Sequence, residues 1–240
     1  MDERLSRMEL LIGAKALERL AGLRVAVFGV GGVGSVCAES LVRSGVKNIT
    51  LVDSDCVAES NINRQLPAFV STVGYPKVFV MAERLGDIAP DATITPVQSL
   101  YSMGNKEGFD FKNFDVVVDA IDSLAHKIDL LATASEAGCK VFCSLGAAGK
   151  LDPTKVRSAS IWNTTGCPLG KLVRNGLRKR GFTGDFMAVY SEEKSVAFAV
   201  DPETAESHGD STRASILGSA MPVTGAFGLA LSSLVIRSVL

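Results

Sequence analysis

The chain reads as an α/β protein built on a doubly wound, mainly parallel, Rossmann-like sheet. Three observations lead there. Short, β-branched runs such as 24–28 and 115–119 alternate with stretches of helical apolar spacing, the pattern of a parallel sheet crossed by helices. Gly29, Gly31, Gly32 and Gly34 sit between the first of these runs and a helical stretch, where a strand-to-helix turn can cradle phosphates. Asp53 closes the next run, the place where a carboxylate meets ribose hydroxyls in such folds.

The elements follow in order. Between Arg4 and Leu20, Leu5, Met8, Leu11, Ile12 and Leu20 keep helical spacing, so one amphipathic N-terminal helix is expected. Strand 24–28, helix 33–44, strand 48–52, helices near 61–70 and 75–88, and strands 92–98 and 115–119 come next. Helix 123–137, strand 139–145, strand 155–162, helix 167–180, strand 187–191 and a last helix 222–239 complete the chain. The strands after residue 150 extend or cover the sheet. No linker divides the 240 residues, so 1–240 is expected as one domain with a nucleotide-binding half, 1–150, and a second half, 151–240.

In the glycine loop, Gly29 permits the tight turn, Gly31 lets the backbone approach phosphate, and Gly34 lets helix pack on strand. The loop and Asp53 alone fit a dinucleotide as well as ATP. Arg64 and Lys77, in Asn61-x-Asn63-Arg64-Gln65 and Gly74-Tyr75-Pro76-Lys77, add cations shortly after the acid that can converge on a triphosphate. Asp122 follows a strand end and can hold Mg²⁺ or cap the next helix.

Composition sets the bounds. Hydrophobic residues make up 47% of the chain, which excludes global disorder. Lys plus Arg is 25 against 26 for Asp plus Glu, so overall charge is silent on nucleic acid. Its distribution is not: 150–180 holds eight cations, Lys150, Lys155, Arg157, Lys171, Arg174, Arg178, Lys179 and Arg180, against the single acid Asp152. Such a stripe fits a phosphate backbone or a solvated helix face. Trp162 and Phe182 flank it and can stack on bases or pack in the core. The five cysteines form no Cys-x-x-Cys pair, and with no secretory signal the expectation is a reducing cytoplasm. Cys167, before Pro168, is open to a catalytic or a capping role, the cap favoured. Residues 214–236 carry no charge, but their glycines and Pro222 argue for a loop entering a buried helix rather than a membrane span. Residues 201–213 read as a surface loop. His126 and His208 show no partner pattern.

The set Gly29-x-Gly31-Gly32-x-Gly34, Asp53-x-Asp55, Asn61-x-Asn63-Arg64-Gln65, Gly74-x-x-Lys77 and Ala120-Ile121-Asp122-Ser123 resembles the ThiF/MoeB/HesA family, adenylating relatives of the ubiquitin-activating enzymes. The likeness runs from about Arg4 to Tyr190. Further motifs, 7–13, 146–154, Cys167-Pro168-Leu169 and 174–181, are most similar to the tRNA-modifying branch that cyclises N6-threonylcarbamoyladenosine. The resemblance implies a ubiquitin-activating-enzyme-like fold with a C-terminal strand and helix extension, and a single adenylating domain whose second half faces substrate and supports a dimer. It implies ATP with Mg²⁺ on Asp122, and an acyl-adenylate that gives up AMP after pyrophosphate. Arg64 and Lys77 would carry the charge of the reaction. Gly29, Gly31, Gly32, Gly34, Asp53, Asp55, Asn61 and Gln65 would bind the nucleotide, and Arg7 would reach a partner subunit's ATP. Lys150, Lys171, Arg174, Arg178, Lys179 and Arg180 would face tRNA. A homodimer and a cysteine desulfurase system as partner are also implied. Zinc is not expected, because the family's Cys-x-x-Cys pairs are missing. Adenylation of a ubiquitin-like sulfur carrier shares every ATP residue and stays open as the alternative.

Overall fold

A computed structural model of the chain describes residues 2–195 and 218–240. Seven strands form one sheet: β1 Arg24–Phe28, β2 Asn48–Val52, β3 Thr93–Val97, β4 Val116–Asp119, β5 Lys140–Ser144, β6 Val156–Ser160 and β7 Met187–Ser191. Their order is β3-β2-β1-β4-β5-β7-β6. All pairs are parallel except β6 with β7. The helices are α1 Ser6–Ile12, α2 Ala14–Gly22, α3 Gly34–Arg43, α4 Lys77–Ile88, α5 Leu124–Glu136, α6 Pro168–Lys179 and α7 Met221–Arg237.

Strand alternation splits the core in two. Val25 and Val27 of β1 face α3, α4 and α7, with Leu41, Met81, Leu85, Phe227 and Leu231 around them. Ala26 and Phe28 face the other way, onto Leu130, Leu131, Val173 and Leu177 of α5 and α6. Each sheet face is therefore covered by helices, as a parallel sheet requires. The uncharged C-terminal stretch lands in this core: Val223, Phe227, Leu231 and Val235 are buried, and no helix of the described residues is long and apolar enough to cross a membrane. The loop expected at 201–213, with His208, lies outside the described residues.

Three boundaries differ from expectation. The N-terminal helix breaks at Gly13, whose φ of 80° ends α1 and lets α2 set off in a new direction. No helix spans 61–70; short 3-10 turns at Glu59–Asn61 and Val70–Thr72 replace it. There the Asn61 side chain accepts from the Ala58 amide at 3.1 Å and Asn63 donates to the Ser219 carbonyl at 2.8 Å. Such side chains compete with helical backbone bonds, and Pro67 supplies no donor at all. Asp122 does not cap α5; Ser123 occupies the N-cap position.

Two contacts hold the sheet's upper edge together. Lys127 and Asp119 form a fully buried pair at 2.6 Å, and the lysine also donates to the Ser144 carbonyl at 3.0 Å. Burial works against the Lys127 charge, yet the adjacent Asp119 carboxylate holds its pKa above the ordinary lysine value. The pair ties the ends of β4 and β5 to the first turn of α5. On the other face, α7 lies directly on the first turn of α3. A Cβ at Gly228 would stand 2.5 Å from the Val33 carbonyl oxygen and 2.8 Å from Val36 Cβ. Ser232 Oγ donates to Ser40 Oγ at 2.8 Å further along the same seam. At the sheet's outer edge, β3 carries Pro96. The Thr93 amide donates inward to Lys47 at 2.7 Å, so by the period of two the proline nitrogen faces outward.

Gly228→Ala is expected to lower unfolding free energy by about 1–3 kcal/mol through overpacking, read by urea denaturation of the ligand-free protein. Lys127→Met leaves Asp119 buried and unpaired and should cost about 3–5 kcal/mol in the same measurement.

Candidate functional site

The carboxyl ends of β1, β2 and β4 open into a cavity of about 360 Å³. Its floor is the glycine loop. Gly29 has φ 88°, and a Cβ there would lie 2.7 Å from the Ala120 carbonyl oxygen. A Cβ at Gly34 would overlap the Gly29 carbonyl oxygen. Those two glycines close the turn between strand and helix, as their spacing implies. Gly31 differs: the atoms nearest its Cβ position are those of the Gln65 amide, at 3.7 Å and beyond, so the loop stays open at its centre. α3 starts at Gly34, and its Ser35 and Cys37 amides donate back to the Gly31 and Val33 carbonyls at 3.1 and 3.0 Å, so the cavity is lined by the loop residues Gly29, Gly31, Gly32 and Val33, with the positive end of the helix behind them.

Asp53 does two things at once. Oδ2 accepts the Val30 amide at 2.7 Å and Oδ1 accepts the Asp55 amide at 2.9 Å. The carboxylate thus clamps the glycine loop and keeps lone pairs for hydroxyl groups. Asp55 points elsewhere than expected: it takes the Lys77 ammonium at 2.8 Å rather than standing free for a ribose. The lysine side chain is 7% exposed and the aspartate 64%. A short backbone zipper fixes the pair, with Lys77 N–H on Asp55 O at 3.0 Å and Val57 N–H on Tyr75 O at 2.9 Å.

Arg64 leans over the loop, its Cγ 3.3 Å from where a Gly32 Cβ would be. Its Nη1 donates to Ser60 O and Asn63 Oδ1, both at 2.8 Å. These acceptors are neutral, and among the described residues Arg64 forms no ion pair. Gln65 is buried beside Gly31, and its Oε1 has no hydrogen-bond partner among the described residues. Asp122 is exposed at the rim, its carboxylate without a hydrogen bond among the described residues. The cavity thus gathers Gly29, Gly31, Gly32, Asp53, Asp55, Asn61, Arg64, Gln65, Lys77 and Asp122.

Some predicted residues are not brought in. Arg7 stands exposed on α1 and does not line its own chain's cavity. Lys150 is buried, donating to Ser195 Oγ at 3.2 Å, and so is no part of an exposed basic face. Arg180 is paired with Asp129 and donates to Thr133 Oγ1 at 3.2 Å. Trp162 packs on Phe182, with centroids 6.5 Å apart. Cys167 caps α6, its sulfur accepting the Gly170 amide at 3.4 Å.

Three cavity residues carried no sequence signal. Tyr101 comes from the chain after β3, its hydroxyl donating to Asp129 at 2.8 Å. His126 lies in the first turn of α5 and has a buried Nδ1 with no hydrogen-bond partner among the described residues. Thr224 arrives on α7, 3.1 Å from the Gly32 Cβ position. A helix that far along the chain could be placed only by packing.

Comparison with known proteins adds to this geometry. The family described as the ThiF family matches residues 5–240. A tRNA threonylcarbamoyladenosine dehydratase of Bacillus subtilis is 42% identical over 201 residues, covering 84% of this chain and 79% of that protein. One from Haemophilus influenzae is 34% identical over 253 residues, covering 100% of this chain and 94% of its own. The crystal structure of the Escherichia coli enzyme TcdA in complex with ATP superposes with a TM-score of 0.85 at 32% identity, covering 98% of this chain and 93% of that one. The family match runs nearly end to end and the solved structure shares the fold over almost the whole chain, so the chain belongs to the ThiF family.

Proposed function

We infer that this chain carries out the ATP-dependent dehydration of N6-threonylcarbamoyladenosine in tRNA through an acyl-adenylate. The observation that carries the reading is the pairing of an open glycine loop with Arg64 and Lys77 above it and a free Asp122 at the rim. The relatives named for that reaction, at 34% and 42% identity, support the substrate. The residues fit a bound nucleotide. Gln65 Oε1 is a buried acceptor with no partner among the described residues, and the room above Gly31 is what a phosphate needs.

The threonyl carboxylate would attack the α-phosphorus and pyrophosphate would leave. The carbamoyl group would then attack the activated acyl carbon, giving up a proton as AMP departs with the former carboxylate oxygen. One water's worth of atoms leaves the nucleoside, and ATP becomes AMP and pyrophosphate. Arg64 would stabilise negative charge growing on the phosphates, since it forms no ion pair among the described residues. Lys77 does so by leaving Asp55 for phosphate oxygen. Asp53 holds the ribose while it clamps the loop. Mg²⁺ would sit on Asp122 together with phosphate oxygens and neutralise the leaving pyrophosphate. Ring closure is intramolecular, so a held, dry adenylate suffices.

The acting unit in this reading is a homodimer, with residues 151–240 facing substrate and supporting the pair. Arg7 lies beside Leu10 and Leu11, which are 80% and 78% exposed. That apolar face suits docking on a second copy, which would bring Arg7 to its neighbour's phosphates. The tRNA would lie against the basic face of α6.

Arg64→Ala and Lys77→Ala should each lower kcat by about 10²–10³ while ATP affinity moves only a few-fold in equilibrium binding. Equal losses in both would mean the cations merely hold the ground state. Mixing inactive Arg7→Ala and Arg64→Ala chains should restore about a quarter of wild-type turnover, because half the dimers then carry one intact site. No recovery would place Arg7 outside the neighbour's site. Pyrophosphate–ATP exchange stimulated by tRNA, with loss of the cyclised nucleoside from cells lacking the protein, is the expected result for the substrate. Stimulation only by a diglycine-tailed protein would transfer the reading to a sulfur carrier.

A further inference from the structure

The basic stretch is less uniform in the fold than along the chain. Lys150 is buried, Lys155 pairs with Asp152, Arg157 with Glu192 and Arg180 with Asp129. What remains is Lys179 at the end of α6 and, along that helix, a row of Lys171, Arg174 and Arg178, clear of the buried Gly170, Val173 and Leu177. The helix itself contains no acid. Two of the three are held in place by the same short turn. Arg174 donates to the Thr164 hydroxyl. The Arg178 guanidinium lies 5.3 Å from the centre of the Trp162 ring. Trp162 is fixed in turn: its indole N–H donates to the Gly184 carbonyl at 2.9 Å and its ring stacks on Phe182.

We propose that Arg174 and Arg178 form a pre-set pair of contacts for RNA backbone phosphates, with Thr164 and Trp162 as the positioning residues that hold them. This rests on the tRNA reading above. A neutral hydroxyl and an aromatic face steady each guanidinium without cancelling its charge, whereas a carboxylate would do both. Side chains already ordered lose less freedom on binding. The two arginines are four residues apart, about 6 Å along the axis, and each can grip a phosphate with two N–H groups. Trp162 is engaged by its own neighbours, so its part is to present Arg178, not to read a base.

The test is tRNA binding by fluorescence anisotropy across a salt series, with ATP binding measured in parallel as the check on folding. Arg174→Ala and Arg178→Ala should each weaken tRNA about tenfold and reduce the slope of log affinity against log salt by roughly 0.7–0.9. Trp162→Leu keeps the charge, so it should weaken binding about threefold with the slope unchanged, and it should add nothing to Arg178→Ala. Thr164→Val makes the same test on Arg174 if Trp162→Leu does not fold. Arginine variants that bind as wild type overturn the pair while leaving the dehydration reading intact. An additive loss from Trp162 means the indole touches RNA itself and overturns its positioning role. Displacement of tRNA by an acidic protein more readily than by RNA reassigns the row to a protein partner. A wild-type protein that binds no tRNA overturns both readings.

Discussion

The fold turns on a place where there is no room. At Gly34 any side chain would occupy the space of the Gly29 carbonyl, so β1 and α3 meet through bare backbone. That closeness sets the first turn of α3 directly over the strand ends. It also sets the positive end of the helix directly behind the loop that lines the cavity. Gly228 repeats the device from the other side, bringing α7 against Val33 and carrying Thr224 to the loop. Asp53 then fastens the loop through the Val30 amide. Glycine at these positions is a matter of space as much as of dihedral freedom.

Around that floor the charges are distributed unevenly, and the unevenness has chemical meaning. Arg64 is steadied by two neutral oxygens and keeps its full charge. Lys77 is nearly buried and spends its charge on Asp55. In the adenylation proposed here, a triphosphate would meet one cation that is ready and one that must change partners. The exchange costs the lysine little further desolvation, because its side chain is already 7% exposed and passes from one oxyanion to another.

Much of this was legible in the chain. The β-branched runs, the glycine spacing and Asp53 fix local geometry within a few residues of themselves, and the first strand and its loop fell where they pointed. Legibility ended where the outcome depends on distant packing. Thr224 reaches the loop only because α7 crosses α3, and no spacing near residue 224 records that. The stretch 61–70 looked helical because its apolar residues allow it, but Asn61 and Asn63 spend their amides on backbone groups. Lys150 counted as a surface cation until the fold buried it against Ser195. Charge runs are readable from sequence, while which charges remain unpaired depends on neighbours such as Asp129 and Glu192 that other segments supply.

Pro96 has a wider reach than its own strand. A parallel sheet that ends in a regular strand offers a template to any passing extended chain, including a copy of itself. With a ring where a donor would be, the β3 margin cannot register a further strand at that point. An added strand would find a break in its ladder there, so the edge is a poorer template for continuous sheet growth than its length suggests.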